Sequence, residues 1–446
     1  MTFDERITNV AVVGAAGKMG SGISLLLAAE LAKTRLKPEN RGRKFRLNLI
    51  DVSDDALDGL LVYLRQQLLK IAEKMAVQLR EAYRDREDLV ENYEILPQFV
   101  EDTLSLVRLG TDLNLARHAN AVFEAVLEVK DLKVGIYRQL RAICPEDVFF
   151  LTNTSSIPIH VLSDEANLGG RILGFHFYNP PAVQKLAELI VPERTLPELQ
   201  DFARELADRL RKKVVPANDI AGFIGNGHFL RDGLYALREA QRLAGEFGLP
   251  GAIYLVNKVS QDLLVRPMGI FQLLDYVGVD VFQCISETMD HYIDGEDLRD
   301  GLVKSYFDRK VLGGQRSDGS QKDGFLKYDR NRPVGVYDPA AGEYRVLDPQ
   351  GWSGELDRRL GAYPAGFCPW KQLMASPTKG EQLESFFRNL RASDTLGARL
   401  ALAYLKNSKE IGEMLVRTGV AFRAEDVNDV LLNGFFHLYG PINEYI

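Results

Sequence analysis

The sequence predicts a doubly wound α/β sheet followed by mostly α-helical C-terminal domain(s). Three observations carry that expectation. The apolar run Asn9-Val-Ala-Val-Val passes through a glycine-rich turn into Ile23-Ser-Leu-Leu-Leu-Ala-Ala, a strong helix former. Strand-like runs then alternate with helix-like segments as far as Lys213-Val-Val-Pro-Ala, the arrangement of a parallel sheet covered by helices. Past Pro216 the chain reads as largely helical. The expected divisions are 1–215 for the sheet domain, with a helical arm at about 54–100, then 216–330 for a helical domain, and 331–446 for an irregular linker and a second helical module.

The glycine turn reads Gly14-Ala-Ala-Gly17-Lys18-Met19-Gly20-Ser-Gly22. Between a strand and a helix, such glycines let backbone amides approach a pyrophosphate at a helix N-terminus. The first interval is one residue longer than in the usual dinucleotide fingerprint. The next strand, Phe45-Arg-Leu-Asn-Leu-Ile, ends in Asp51, a carboxylate suited to the ribose hydroxyls of NAD and repelled by the extra phosphate of NADP. A polar, basic insertion from Lys33 to Lys44 separates turn from strand. It reads as a solvated loop, although Arg41, Arg43 or Lys44 folding back onto a phosphate would leave NADP open.

From Asp54 to about Arg86 the apolar residues Leu57, Leu60, Leu61, Leu64, Leu68, Ile71 and Met75 recur near helical spacing. The opposite face carries Arg65, Lys70, Lys74 and Arg80, either solvated or facing a phosphorylated substrate handle. After Pro97 the text turns strand-like at Leu104-Ser-Leu-Val-Arg and again at Ala121-Val-Phe-Glu-Ala-Val. A helix at Lys130 to about Ile143 and a strand at Val148-Phe-Phe-Leu follow. The strand ends are chemically loaded. One closes with Glu128, with Lys133 five residues on; the next closes with Asn153-Thr-Ser155-Ser156, either a ligand contact or ordinary helix capping before Pro158.

Gly174-Phe-His-Phe-Tyr-Asn-Pro-Pro then places His176 in an apolar run that reads as a buried strand. Glu188 follows in the next apolar run, Leu186-Ala-Glu-Leu-Ile-Val. On neighbouring strands the two form a base and its orienter; apart, they are a structural histidine and a surface carboxylate. Beyond Pro216, Asp219-Ile-Ala-Gly222-Phe-Ile-Gly-Asn226 opens helical text to about Tyr306, with a turn at Arg266-Pro-Met-Gly. From Gly313 to about Pro364 the chain reads as an irregular connector with a small hairpin near Tyr344, and helical text resumes from Glu381 to the C-terminus.

Composition narrows the function. With 446 residues and a formal net charge of −7, the chain has room for two or three cores and no basic stripe for nucleic acid. No apolar stretch approaches a membrane span, and the N-terminus lacks a signal-peptide layout. Cys144, Cys284 and Cys368 form neither a disulfide framework nor a metal site, so a cytoplasmic setting is expected.

Over roughly its first 330 residues the chain resembles the L-3-hydroxyacyl-CoA dehydrogenases. The matching motifs are the Gly/Met-Gly turn, Asp51, Glu124-Ala-Val-Leu-Glu128 with Lys133, Asn153-Thr-Ser-Ser, Gly174-Phe-His-Phe-Tyr-Asn-Pro, Glu188, Gly222-Phe-Ile-Gly-Asn226, and Pro267-Met-Gly with Leu273-Leu-Asp-Tyr-Val-Gly. Ala424-Glu-Asp-Val-Asn-Asp-Val-Leu-Leu-Asn-Gly and Gly440-Pro are similar to the end of a second, degenerate copy of the family's helical domain.

The resemblance implies a Rossmann-type NAD-binding domain and reversible oxidation of a 3-hydroxyacyl-CoA. It implies His176 as general base, Glu188 as its support, and Ser155 and Asn226 near the substrate oxygen. Gly14, Gly17, Lys18, Met19, Gly20, Asp51, Glu128, Lys133, Asn153 and Asn179 fall at cofactor positions, and Lys74 at a CoA-phosphate contact. It leaves monomer and homodimer through the helical domain both open. Departures are Gly227 where the family has Arg, Ala187 where it has Val, and an altered region before Gly324-Phe-Leu-Lys-Tyr. A free 3-hydroxy acid, like carnitine or a sugar acid, is the alternative substrate, and a non-catalytic dinucleotide sensor the alternative class.

Overall fold

The structure, a computed structural model, describes residues 1–316 and 319–446. It divides into two compact units, Met1–Asp219 and Ile220–Ile446.

The first unit is an eight-stranded sheet. Its strands are β1 (Asn9–Val13), β2 (Arg46–Ile50), β3 (Val107–Gly110), β4 (Ala121–Glu124), β5 (Phe149–Thr152), β6 (Ile172–Phe177), β7 (Leu186–Ile190) and β8 (Lys213–Ala217). They lie in the order β3-β2-β1-β4-β5-β6-β7-β8. β1 to β6 are parallel, in the 3-2-1-4-5-6 order of dinucleotide-binding sheets. β7 reverses against β6, and β8 runs parallel to β7. Strands covered on both faces must be apolar almost throughout, and β4, β5, β6 and β7 are buried at every position.

The helices of this unit are α1 (Phe3–Arg6), α2 (Lys18–Leu36), α3 (Asp54–Lys74), α4 (Ala76–Ala82), α5 (Asn92–Leu104), α6 (Lys130–Ile143), α7 (Ile159–Ala166) and α8 (Pro197–Arg209). Ser53 starts α3 by accepting a hydrogen bond from the Ala56 amide, with Asp54 and Asp55 on the positive end of its dipole. The helix expected to run to about Arg86 breaks at Met75 (φ −110°), and a short α4 continues. The strand expected at Leu104-Ser-Leu-Val-Arg begins later, as β3 at Val107, because Leu104 still belongs to α5, which also contains Pro97. Proline there removes one amide, whose partner carbonyl four residues back is that of the exposed Tyr93. The arm also folds inward: Leu60, Leu64 and Leu68 of α3 and Ile95, Phe99 and Val100 of α5 belong to the sheet's own core.

The second unit contains α9 (Gly225–Lys258), a π-helical turn (Val259–Leu263), α10 (Ile270–Val277), α11 (Val279–Tyr292), α12 (Gly301–Asp308), α13 (Trp352–Leu360), α14 (Trp370–Met374), α15 (Lys379–Ala392), α16 (Leu396–Arg417) and α17 (Ala424–Gly434). α9 breaks at Gly248 (φ +68°), just before Pro250. The expected irregular connector holds more order than its composition suggests: a three-stranded antiparallel sheet of β9 (Leu326–Asp329), β10 (Arg332–Asp338) and β11 (Glu343–Val346), followed by α13. β9 turns into β10 through Arg330 and Asn331, both at positive φ, as a two-residue hairpin requires, but without the glycine that would advertise it. Ser317 and Asp318, within the same connector, lie outside the described residues.

Helical text was expected to the C-terminus, but α17 ends at Gly434. The chain beyond it is tied down by the Asn428 side chain, which bonds both the N–H and the C=O of Ile442.

Residues on both sides of position 330 share one core, from Leu234, Phe271 and Tyr306 to Phe387, Ala401 and Tyr404. Inside it lies a charged pair: Arg266 Nη1 sits 2.7 Å from Asp232 Oδ2, with both side chains nearly fully buried. The Tyr404 hydroxyl adds a bond of 3.1 Å to the same oxygen. Removing one partner of such a pair strands the other charge in low dielectric, at about 3–5 kcal/mol, whereas apolar replacement of both costs far less. Asp232→Ala is therefore expected to lose stability on that scale in urea unfolding followed by circular dichroism, and Asp232→Leu combined with Arg266→Met to recover most of it.

Candidate active site at the carboxyl edge of the sheet

Because β1 to β6 are parallel, the loops leaving β1, β2, β4, β5 and β6 open on one edge. Nearly every residue singled out in the first unit lies there.

The β1–α2 turn uses its three glycines differently. Gly14 has φ +78°, and a Cβ on it would stand 2.6 Å from the carbonyl oxygen of Ala125. A Cβ on Gly20 would stand 1.9 Å from the Gly14 oxygen, so that glycine lets helix and turn close. Gly17, the N-cap of α2, has no such excuse: a Cβ there would find its nearest atom at 3.4 Å, ordinary contact. The space it preserves opens outward, at the positive end of a 19-residue helix with Lys18 and Met19 in its first turn. That cradle fits a pyrophosphate. Asp51 lies beside it, Oδ2 accepting from the Ala16 amide and Oδ1 from that of Val52, both at 2.8 Å. Of the insertion's cations, Arg41 pairs with Asp85 at 2.9 Å and Arg43 faces Glu5 at 4.0 Å, so their charge is met by carboxylates.

Between β4 and β5 lies a buried ionic cluster. Lys133, 1 % exposed, sits 2.7 Å from Glu124 and 3.2 Å from Glu128. Glu124 also accepts from the Val126 amide, Thr152 and Tyr137. Glu128 Oε1 accepts from the Thr154 hydroxyl, the Ser155 amide, and the amide and hydroxyl of Ser156. Burial alone would raise the Glu128 pKa, but Lys133 and these donors overcome it and hold it at about 2. The carboxylate thereby ties the β4 loop to the loop carrying Ser155. On the same edge the Asn153 side-chain oxygen accepts the Phe177 amide at 2.9 Å, joining the ends of β5 and β6.

The antiparallel register of β6 and β7 sets His176 directly opposite Glu188. His176 Nδ1 lies 2.9 Å from Glu188 Oε2, and the Tyr178 hydroxyl donates to that same oxygen at 2.8 Å. Glu188 has no exposed surface and His176 only 8 %. With the Nδ1 proton committed to the carboxylate, the imidazole's basic lone pair is on Nε2. Asn179 leaves β6 next. The loop after it is clamped by the Lys212 ammonium, which donates to the carbonyls of Pro181 and Gln184, while the Pro181 ring packs so closely on Gly22 of α2 that a Cβ there would stand 2.8 Å away.

Two more predicted residues lie on helices. Lys74 is exposed in the last turn of α3, and no contact joins it to this edge among the described residues. Asn226 is in the first turn of α9, in the second unit. Its neighbour Gly227 would, with a Cβ, meet Leu415 of α16 at 3.0 Å, which accounts for the missing family arginine within this unit.

The sequence reading assigns no role to Glu124, Tyr178 or Lys212, although the first two lie within its motifs. Glu124 had a signal, as a carboxylate ending the otherwise apolar Ala121-Val-Phe-Glu124. So did Tyr178, two residues from His176 and thus on the same strand face. Among the described residues no His/Cys/Asp/Glu group could hold a metal, and no helix is long and apolar enough to cross a membrane.

Comparison with known proteins places this geometry. The family model described as 3-hydroxyacyl-CoA dehydrogenase, NAD binding domain, matches residues 9–220, and that described as 3-hydroxyacyl-CoA dehydrogenase, C-terminal domain, matches 236–328. A probable 3-hydroxybutyryl-CoA dehydrogenase of Bacillus subtilis is 29% identical over 281 residues, 62% of this chain and 84% of that protein. One of Deinococcus radiodurans is 30% identical over 230 residues, 51% of this chain and 78% of its own length. The crystal structure of 3-hydroxybutyryl-CoA dehydrogenase from Escherichia coli K12 is similar in fold across 98% of this chain and 90% of its own, with a TM-score of 0.64 and 20% identity.

The glycine geometry separates folding from binding. Gly17→Ala is expected to keep the melting temperature within a few degrees while weakening NAD at least tenfold in a fluorescence titration. Gly20→Ala, which must displace backbone, should lower both.

Proposed function

The chain belongs to the 3-hydroxyacyl-CoA dehydrogenase family, and on that premise we propose that it oxidises an L-3-hydroxyacyl-CoA to its 3-oxoacyl-CoA, reversibly, with NAD as the hydride acceptor and His176 as the general base that takes the hydroxyl proton. The observation that carries this reading is the His176–Glu188 pair, 2.9 Å apart at the sheet edge that also bears the glycine cradle and Asp51.

NAD, held by the Gly14–Gly20 turn and Asp51, supplies the hydride acceptor. The residues supply the rest. Glu188 fixes the Nδ1 proton of His176, so Nε2 takes the proton of the substrate hydroxyl, and the buried carboxylate then stabilises the imidazolium that forms. In the reverse direction the same imidazolium returns the proton to the carbinol oxygen. Glu128, anchored by Lys133, holds the loop that presents Ser155, which we assign to the substrate oxygen together with Asn226. Asn153 and Asn179 would be further contacts for the cofactor. Lys74, on the exposed basic face of α3, is the proposed contact for the CoA phosphates.

The packing of α16 along α9, seen where Leu415 meets Gly227, supports a further part of the reading: the tail covers within one chain a helical face that would otherwise seek a partner, leaving a monomer. Light scattering at micromolar concentration tests this, with a mass near 50.0 kDa expected.

The principal test follows reduced-nicotinamide absorbance with 3-hydroxybutyryl-CoA and, separately, free 3-hydroxybutyrate. Turnover is expected with the thioester; turnover of the free acid alone would keep the base and discard CoA. His176→Ala should lower kcat by about 10²–10⁴ while leaving the NAD dissociation constant within a few-fold. Retained activity in that variant would overturn the assignment of the base.

A further inference from the structure

The apolar strand end that carries His176 also carries Tyr178, whose hydroxyl is aimed at the carboxylate that serves the histidine. From this convergence we infer that Tyr178 is a positioning residue for the base, acting through Glu188 as a second fixed donor to the oxygen that binds His176. The inference rests on the reading of His176 as the base.

Three observations support it. Nδ1 of His176 and the hydroxyl of Tyr178 reach the same atom, Glu188 Oε2, at 2.9 and 2.8 Å. The two rings lie side by side with centroids 5.0 Å apart, so the phenol also limits how the imidazole can tilt. Burial and the Glu188 charge push the Tyr178 pKa well above its ordinary value, so the hydroxyl keeps its proton and remains a donor to Glu188.

Two donors on one oxygen compete. Each draws electron density from the carboxylate, so the tyrosine weakens the pull of Glu188 on the histidine while fixing the carboxylate's rotation. Other groups of this unit do not offer the same control. On the β5 side the neighbours are Thr152, opposite Gly174, and Asn153, bonded to the Phe177 amide; neither titrates. The Lys212 ammonium stands 5.7 Å from the Phe177 ring and is committed to the Pro181 and Gln184 carbonyls. Glu188, bonded to the imidazole, and Tyr178, packed beside it, are the titratable groups through which the inference runs.

Tyr178→Phe keeps the ring and deletes the donor. The expected result is an acidic limb of kcat/KM against pH displaced upward by about half to one pH unit, because Glu188 then holds the imidazolium more strongly. On the plateau kcat should fall about three- to tenfold, the scale of one charge-assisted hydrogen bond, with KM for both substrates unchanged. The control is a cycle with Glu188→Gln: in that background Tyr178→Phe should add no further loss. An unmoved pH limb, a rise in KM with kcat intact, or additive losses in the double variant would each overturn the inference. These outcomes stand apart from failure of the base itself, which the His176→Ala variant reads.

Discussion

Glu188 is a carboxylate with no exposed surface on the next-to-last strand of the sheet, and the carboxyl edge beside it depends on how that charge is compensated. A buried carboxylate without donors would take up a proton or move to water. Here the donors come from one neighbouring strand and its extension, His176 and Tyr178. They are available only because β7 runs against β6: the antiparallel register brings residue 176 opposite 188, whereas a parallel β7 would have needed a long crossover. The reversal is made by a short loop, and its carbonyls are gathered by the Lys212 ammonium, whose pKa burial pulls down to about 8. The sheet's one change of direction thus builds the His176–Glu188 pair.

A second charge cluster solves a different problem a few strands away. At the end of β4 two carboxylates share the single buried ammonium of Lys133. Glu124 faces inward and is satisfied by Thr152, Tyr137 and a backbone amide. Glu128 faces the rim and spends its acceptors on the loop of Thr154, Ser155 and Ser156. Replacing this cluster by apolar groups would remove a desolvation cost, but it would also release the loop. Its chemistry is that of a fixed frame rather than of proton transfer, since Glu128 stays ionised at any pH at which the enzyme would work.

Much of this was legible in the residues because local patterns and ligand chemistry coincide. A strand, a glycine turn and a helix in succession, an acidic end to the second strand, and a histidine and a glutamate in consecutive apolar runs each constrain backbone and site together. What stayed hidden lacks a local marker. The pull of Lys133 into the interior depends on Glu124, nine residues earlier and on another element. The role of Tyr178 appears only once β7 is placed. The β9–β10 hairpin turns on Arg330 and Asn331 where glycine would have announced it, and α5 tolerates Pro97 because the orphaned carbonyl is that of an exposed residue. In each case the deciding partner is distant in sequence or is solvent.

The second unit shows the same dependence on distant partners. The first turns of α9 carry Asn226, and two residues later His228 begins a buried polar chain. His228 lies 3.2 Å from the Ser408 hydroxyl, Ser408 and Asp232 both bond Arg266, and Tyr404 closes on Asp232. Burial pushes the His228 pKa down to about 4, so it stays neutral beside the Arg266 cation. Ser408 and Tyr404 belong to α16, far beyond position 330, and Leu415 of the same helix occupies the space that Gly227 vacates. The helix that bears Asn226 is therefore held by the tail as much as by its own neighbours. Because its polar groups are satisfied only when both parts are present, the tail is integral to this unit's core.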